Sequence, residues 1–199
     1  NMASATALTT ATVPMVLTGG TGTSDTLNVV GGTYSATHLA TVTAIESFVV
    51  SNDATASFTI SDANTTATQS LTLDGRAIIN TANTFTVVGT AENDGVITVH
   101  GSAGADAITG TVTATLGDTI YGYGGADVIT VNVDAMQTAD VIDGGAGSDT
   151  LQISGTGTLV DADLTGVTNI EKFTHTGTST LTTLGTQYME SGSAEITLG

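Results

Sequence analysis

Aspartate recurs at a fixed interval in the centre of this 199-residue sequence, each time after a turn-forming segment. Asp106, Asp127 and Asp149 are separated by 21 and 22 residues, and Ile or Leu follows each of them two positions later. Asp118 and Asp140 form a second series, 22 residues apart, whose members lie nine residues before Asp127 and Asp149. A unit of about 22 residues with two such turns predicts a flattened coil whose copies stack and bury their apolar faces against one another.

Short alternating runs of β-branched and polar residues surround these turns. Segments such as VITVHG, VITVNV and TLQIS have strand composition, and helix-favouring residues such as Lys, Arg and Gln are scarce. Helix-like spacing occurs in HLATVTAIESF and DLTGVTNIEKF, where a step of three also suits the corner of a solenoid. The predicted fold is an all-β, right-handed parallel β-solenoid (β-roll or β-helix) that forms a single elongated domain over residues 1–199.

The two helix-like segments belong to an internal duplication. Residues 16–60 and 144–186 are related repeats, and their apolar and acidic residues match at a constant offset of 125. The matched positions are Leu39, Val42, Ile45, Glu46 and Phe48 in the first repeat and Leu164, Val167, Ile170, Glu171 and Phe173 in the second. Repetition at this scale again favours a solenoid. We expect a structural role for the two glutamates.

The sequence is strongly acidic and contains no Cys. Its 2 Lys and Arg against 19 Asp and Glu give a formal net charge of −17, which argues against nucleic acid and anionic membranes and favours cations. No segment approaches the ~20 apolar residues of a membrane span, so we expect no membrane insertion. No basic signal-peptide region precedes Pro14. We expect a piece of a longer protein whose export signal lies elsewhere.

The spacing of glycine and aspartate suits a hard cation. Ca²⁺ takes about six to eight oxygen ligands, and one loop cannot easily supply all of them. Glycine lets backbone carbonyls turn toward an ion, Asp adds a carboxylate, and stacked turns complete the shell from two coils. The predicted calcium-binding core spans residues 95–155, and its candidate ligands are Gly101, Ser102, Gly104, Asp106, Gly122, Gly124, Gly125, Asp127, Gly144, Gly145, Gly147 and Asp149, with Asp118 and Asp140 at the opposite edge. Asp25 is at best a degenerate site.

The three main turns follow the nine-residue pattern G-G-x-G-x-D-x-U-x, in which U is a large apolar residue. The segment 144–152 fits it at every position, whereas Ser102 and Tyr123 replace the second glycine in the segments 101–109 and 122–130. The sequence therefore resembles the repeats-in-toxin (RTX) family of secreted calcium-binding proteins. The resemblance implies a calcium-binding β-roll. Without cations the stacked Asp side chains repel one another, so we expect a chain that is loose at micromolar Ca²⁺ and rigid at the millimolar level found outside cells.

The composition, the imperfect motifs and the V-x-x-I-E-x-F segments also resemble bacterial surface-layer and extracellular matrix proteins. This resemblance implies a secreted structural protein that polymerises with copies of itself as a sheet or filament at the cell surface, with a cell-surface polysaccharide as a further partner. The alternative is a calcium-stiffened stalk or binding module of a secreted adhesin, toxin or enzyme.

Motifs for catalysis are missing from the sequence. It has no H-E-x-x-H, no G-x-S-x-G and no G-K-[ST] segment, and His38, His100 and His175 lack the spacing of a zinc site. Asp161 and Asp163 could form a carboxylate pair, but a polar corner is the simpler interpretation. We therefore expect a protein that is not an enzyme.

Overall fold

The computed structural model describes residues 3–4, 14–66, 69–112, 116–178, 180–181 and 195–198. Within these residues the chain is almost entirely β, with one helical turn, α1 (Ala36–Leu39), and one 3₁₀ turn (Asp161–Leu164). The strands are β1 (Ala3–Ser4), β2 (Val16–Thr18), β3 (Thr26–Val29), β4 (Gly32–Tyr34), β5 (Thr41–Thr43), β6 (Ser47–Val50), β7 (Ala56–Ser61), β8 (Ser70–Asp74), β9 (Phe85–Ala91), β10 (Val96–His100), β11 (Ala107–Thr109), β12 (Thr119–Tyr121), β13 (Gly124–Gly125), β14 (Val128–Asn132), β15 (Val141–Asp143), β16 (Ala146–Gly147), β17 (Thr150–Ser154), β18 (Thr158–Leu159), β19 (Val167–Thr168), β20 (Lys172–His175), β21 (Thr180–Leu181) and β22 (Glu195–Leu198).

Two parallel sheets of eight strands form the body of the molecule. Sheet 1 has the order β1-β3-β6-β8-β10-β12-β15-β19, and sheet 2 has the order β22-β20-β17-β14-β11-β9-β7-β4. The chain passes from one sheet to the other and back, so each strand pairs with the strand one coil away. The predicted parallel β-solenoid is confirmed, with about 7 turns.

The apolar core consists of two ladders of side chains, one from each sheet. In sheet 1, Leu27, Phe48, Leu73, Val99, Ile120 and Ile142 lie in register on successive strands. In sheet 2, Tyr34, Phe58, Val87, Ile108, Ile129, Leu151 and Phe173 do the same. All of these side chains are buried. The apolar residue two positions after each repeated Asp therefore points into the core, because alternate residues of a strand share a face.

The duplicated segments have the same order of elements but occupy opposite sheets. α1 and the 3₁₀ turn lie at matching positions, and β3 pairs with β6 as β17 pairs with β20. The first pair belongs to sheet 1 and the second to sheet 2, so the two copies are half a coil out of phase. Both helix-like segments therefore form solenoid corners with a single helical turn. Residue 179 and residues 182–186 of the second repeat lie outside the described residues.

Four aromatic rings fill the part of the core that lies between the N-terminal coils. The ring of Phe58 stacks on Tyr34, with centroids 4.9 Å apart, and also lies near Phe48 and Phe85, at 5.9 and 5.8 Å. All four residues are at least 98 % buried, from the 2 % exposure of Tyr34 to complete burial of the three Phe side chains. Phe58 thus connects the packing of several neighbouring coils.

We expect the substitution Phe58→Ala to lower the free energy of unfolding by about 3–5 kcal/mol, since it leaves a cavity among these rings. Urea unfolding followed by circular dichroism measures the change. Val141→Ala is the matched control, because Val141 is 40 % exposed and its truncation should change stability by less than about 0.5 kcal/mol. Equal effects of the two substitutions would contradict this account of the core.

Candidate metal centre

The three motif segments form one continuous edge of the solenoid, which we call the glycine corner (residues 101–106, 122–127 and 144–149). Each segment links a strand of sheet 1 to the next strand of sheet 2. β13 pairs with β16, which places Gly124 beside Ala146 and Gly125 beside Gly147. The structure therefore brings the predicted glycines and Asp106, Asp127 and Asp149 together in stacked turns. Neighbouring coils are ~4.8 Å apart, as in any paired strands.

Each repeated Asp stands immediately before a strand, and its carboxylate accepts a hydrogen bond from the coil before it. The N–H of Asp106 donates to Oδ1 of Asp127, and the N–H of Asp127 donates to Oδ1 of Asp149, both at 2.8 Å. The N–H of Phe85 donates to Oδ1 of Asp106 in the same way, at 2.8 Å. All three carboxylates are buried, so these bonds replace water. The aspartates thus connect the backbones of successive coils.

The second oxygen of Asp106 is also satisfied by the protein. Ser102 donates its N–H to Oδ2 of Asp106 and its hydroxyl to Oδ1, both at 2.6 Å. Ser102 stands at the second glycine position of the motif. The turn 101–106 therefore closes around its own carboxylate, with the serine supplying the donors.

Asp127 and Asp149 differ from Asp106 in this respect. Their Oδ2 atoms are buried and have no hydrogen-bond partner. The residues themselves are 1 % and 0 % exposed. A side chain at Gly122 would collide with Oδ2 of Asp127 and with the carbonyl oxygen of Gly144, and one at Gly144 would lie 2.9 Å from Oδ2 of Asp149. Carboxylate and carbonyl oxygens with no donor beside them are the ligands of a hard cation, so these two turns fit Ca²⁺.

The backbone at the second motif position explains why two of the turns lack a donor there. Gly145 and Tyr123 have φ values of 90° and 71°, in the left-handed region that favours glycine. Tyr123 is exposed to 43 %, and its hydroxyl bonds to Nδ1 of His100. Neither residue offers a hydroxyl to the neighbouring Asp as Ser102 does.

The second Asp series lies at the opposite edge, which we call the return corner because the chain passes there from sheet 2 to sheet 1. The N–H of Asp118 donates to Oδ1 of Asp140 at 2.8 Å, and the N–H of Gln137 donates to Oδ2 at 2.8 Å. Asp118 receives the N–H of Ile97 on Oδ1 and that of Thr111 on Oδ2, at 3.0 and 2.7 Å. Protein donors thus occupy both oxygens of each residue, and the glycine corner fits a metal better.

Burial raises the pKa of every carboxyl group in these two series. Loss of hydration, reinforced by the charges of Asp106 and Asp149, raises the pKa of Asp127 to about 7. Burial, with smaller contributions from Asp118 and Asp163, raises the pKa of Asp140 to about 6. A cation between the coils would stabilise the charged form and reverse this effect.

Glutamate occupies the same position in both columns, Glu171 at the glycine corner and Glu46 at the return corner, which the sequence reasoning did not predict. Oε2 of Glu171 accepts the N–H of Asp149 at 2.7 Å, and Oε2 of Glu46 accepts the N–H of Asp25 at 2.7 Å. Each glutamate immediately precedes a strand, which is the position that Asp occupies elsewhere. The sequence signals that could have predicted this role are the position before a strand and the spacing from the preceding Asp, which is 21 residues for Glu46 and 22 for Glu171. Asp25 also retains a buried, unpartnered Oδ2 atom.

The other polar residues considered from the sequence have local roles. His38 forms a capping box with Ser35 at α1, and His100 bonds through Nδ1 to the hydroxyl of Tyr123 at 3.0 Å. Asp163 accepts the N–H of Val160 with Oδ2 at the start of the 3₁₀ turn. Sequence reasoning also missed a cluster of Asp62, Glu92 and Asp94 at the return corner, whose carboxylate oxygens lie within 4.8 Å of one another.

Compared with protein-family models, curated proteins and solved structures, the chain matches none of them. In the part of the chain that the structure describes, no helix has the length and apolar character needed to cross a bilayer. The assignment of a function therefore depends on the geometry of the corners.

The raised pKa values predict that the metal-free protein loses stability as the pH rises. A carboxyl group whose pKa is higher in the folded than in the unfolded chain binds its proton more tightly when folded. Asp127, with a pKa of about 7, should therefore stabilise the fold below about pH 4 and lose that contribution as the pH rises to about 7. Urea unfolding in chelator across this range measures the slope.

Asp127→Asn should reduce the slope, because the amide oxygen still accepts the N–H of Asp106 and no charge forms. Asp134→Asn is the control, since Asp134 is an exposed Asp outside both columns. A stability that stays level or increases toward neutral pH in the parent protein would refute the prediction.

Proposed function

We propose that this chain is a calcium-dependent structural protein that assembles with copies of itself outside the cell, as a surface layer, sheet or filament. The observation that carries the proposal is the pair of buried, unpartnered Oδ2 atoms of Asp127 and Asp149 in stacked glycine turns. An unpaired buried carboxylate oxygen is costly, and Ca²⁺ relieves the cost with contacts to both coils. Ca²⁺ then acts as an intercoil ligand that couples folding to the metal.

The charge of the chain supports an extracellular setting. With 19 acidic residues against 2 basic ones, few carboxylates can be neutralised by protein side chains. Protein sites that saturate only near millimolar Ca²⁺ are typical of extracellular modules. A chain of this kind folds on export, when it meets that concentration.

Self-assembly is supported by the edges of the solenoid. Among the described strands, β1 and β4 form the edges of the two sheets at one end, and β19 and β22 form them at the other. The unpaired N–H and C=O groups of an edge strand can pair with an edge of another copy. Stacking end to end would extend both sheets and give a filament, and lateral contacts would give a sheet.

The alternative function, a calcium-stiffened binding module, is favoured by one surface feature. His100, Tyr121 and Tyr123 form an aromatic patch beside the glycine corner, in a chain that is only 4 % aromatic. The His100 and Tyr121 rings stack with centroids 5.4 Å apart, and Arg76 lines the same shallow hollow as Tyr123. Burial and the Arg76 guanidinium lower the pKa of His100. Aromatic faces with polar tips suit a polysaccharide.

We expect Ca²⁺ to convert a loosely folded chain into an ordered polymer. Circular dichroism and electron microscopy of the purified chain, in excess chelator and in millimolar Ca²⁺, measure folding and assembly separately. The double variant Asp127→Asn/Asp149→Asn should fold and assemble only at higher Ca²⁺, and Asp134→Asn should behave like the parent chain.

Each outcome of this experiment has a definite meaning. Ordered polymers that require Ca²⁺ support the proposal. A chain that folds on Ca²⁺ addition but stays monomeric points to the stalk or binding module instead. Strand content that is identical in chelator and in Ca²⁺ contradicts the role of calcium.

For the binding module, Tyr123→Gly should weaken binding to a surface polysaccharide about tenfold or more. The substitution removes a ring from the patch, and glycine accepts the left-handed backbone at this position. Binding to acidic and neutral bacterial surface polysaccharides can be measured by calorimetry, with Val141→Ala as the control. Unchanged affinity, or no binding by the parent chain, would remove this alternative.

A further inference from the structure

The return corner brings two acidic turns of neighbouring coils side by side. β7 pairs with β9, and a bulge after Thr59 shifts the register so that Ser61 lies beside Ala91. Asp62 and Glu92 directly follow these two residues, and Asp94 belongs to the same turn as Glu92. The carboxylate oxygens of Asp62, Glu92 and Asp94 consequently lie within 4.8 Å of one another. This cluster is at the opposite edge from the glycine corner.

Glu92 provides an independent indication of a ligand. Its side chain is 0 % exposed, whereas Asp62 and Asp94 are exposed. Oε1 of Glu92 accepts the N–H groups of Asp94 and Gly95, at 3.1 and 2.7 Å, but Oε2 is buried and has no partner. Burial, together with the charges of Asp62 and Asp94, raises the pKa of Glu92. A buried carboxylate with one oxygen left open beside two further carboxylates is incomplete without a counter-ion.

A second buried oxygen lies at the same turn. Oγ1 of Thr65 has no hydrogen-bond partner and would lie 2.6 Å from a Cβ atom built on Gly95. Gly95 is the residue whose N–H holds Oε1 of Glu92. The absence of a side chain at Gly95 therefore leaves room for the threonine hydroxyl beside the cluster.

No basic side chain of the chain is available to neutralise these groups. Lys and Arg together occur only twice in the sequence, as Arg76 and Lys172. Arg76 pairs with Asp74 at 2.7 Å, and Lys172 lies on β20, which β17, β14 and β11 separate from β9 in sheet 2. The neutralising charge must come from solution.

We propose that Asp62, Glu92 and Asp94 bind a hard divalent cation, Ca²⁺ in the extracellular setting, at a second site that no glycine-rich motif marks. The donors are carboxylates, which Ca²⁺ prefers, and the exposed side of the cluster leaves space for water ligands. The ion joins the coil of β7–β8 to the coil of β9–β10. The site does not depend on the glycine corner for any ligand.

Titration of the ¹⁵N-labelled full-length chain with CaCl₂, at a protein concentration below that at which it assembles and followed by NMR, tests this site separately from the glycine corner. The amide signals of Asp94 and Gly95 should shift on Ca²⁺ addition, because both N–H groups donate to Glu92. Asp62→Asn/Asp94→Asn changes two exposed residues and should weaken this response at least ~10-fold in Ca²⁺ concentration, since affinity follows ligand charge. The response of Gly145 should persist in this variant.

The converse variant, Asp127→Asn/Asp149→Asn, should abolish the Gly145 response and retain those of Asp94 and Gly95. Asp134→Asn should retain all of them. The isosteric Glu92→Gln, which keeps an oxygen acceptor for the two N–H groups, should also weaken the Gly95 response. Calorimetry should show one Ca²⁺ ion fewer for Asp62→Asn/Asp94→Asn than for the parent chain. An unchanged number of ions, or Asp94 and Gly95 signals that do not move at millimolar Ca²⁺, would overturn the proposal.

Discussion

The hydrogen bond from a backbone N–H to the carboxylate of the next coil is the interaction on which the corners of this solenoid depend. Within the two sheets, backbone hydrogen bonds between paired strands satisfy the N–H groups. At a corner the backbone turns, and the N–H group just before a strand needs another acceptor. An acidic residue placed immediately before the strand accepts such a donor, as Asp127 does for Asp106 and Glu171 does for Asp149. The same arrangement buries a carboxyl group in each coil that contains it. Cohesion between coils therefore has an electrostatic cost that some other group has to offset.

The glycine corner offsets this cost with protein donors in one of its three turns and not in the other two. In the turn 101–106, Ser102 donates an N–H and a hydroxyl to Asp106, and both carboxylate oxygens are satisfied by the protein. In the next two turns, Tyr123 and Gly145 occupy the equivalent position with a left-handed backbone, and the Oδ2 atoms of Asp127 and Asp149 remain unpaired. Under the proposed calcium binding, a cation would take the role in these two turns that Ser102 takes in the first. Binding of a cation depends on its concentration in solution, whereas a serine is always present. The proposed calcium dependence would therefore arise at the two turns that have Tyr123 or Gly145 in place of serine.

The sequence was informative wherever one coil repeats the next. The spacing of Asp before Ile or Leu predicted the two corners and the apolar ladders, because strand alternation links the carboxylate to a core residue two positions later. It did not reveal which oxygens are paired, since the motif does not show that Ser102 turns its N–H and hydroxyl toward Asp106 whereas Tyr123 and Gly145 adopt a left-handed backbone. It also missed the neighbours Asp62 and Glu92, because a bulge after Thr59 sets their register and no motif marks it. The sequence also did not predict that the duplicated segments belong to opposite sheets, since an offset of 125 residues does not determine which sheet a strand joins.

Cations at the two corners would control different interfaces between coils. In a solenoid each coil contacts only its neighbours, so stability is approximately a sum of coil and interface contributions, and the least stable interface is the first to open. The acidic cluster lies between the coils of β7 and β9, and the unpaired Oδ2 atoms of Asp127 and Asp149 belong to the turns before β14 and β17, with β11 between the two sites. Next to β11, Ser102 and Thr111 supply protein donors to Asp106 and Asp118. The central coil thus has protein donors for both of its aspartates, while the coils beyond it in each direction contain the unpaired oxygens. Such a chain can keep a folded centre when calcium is low and extend its order outward in both directions as calcium rises.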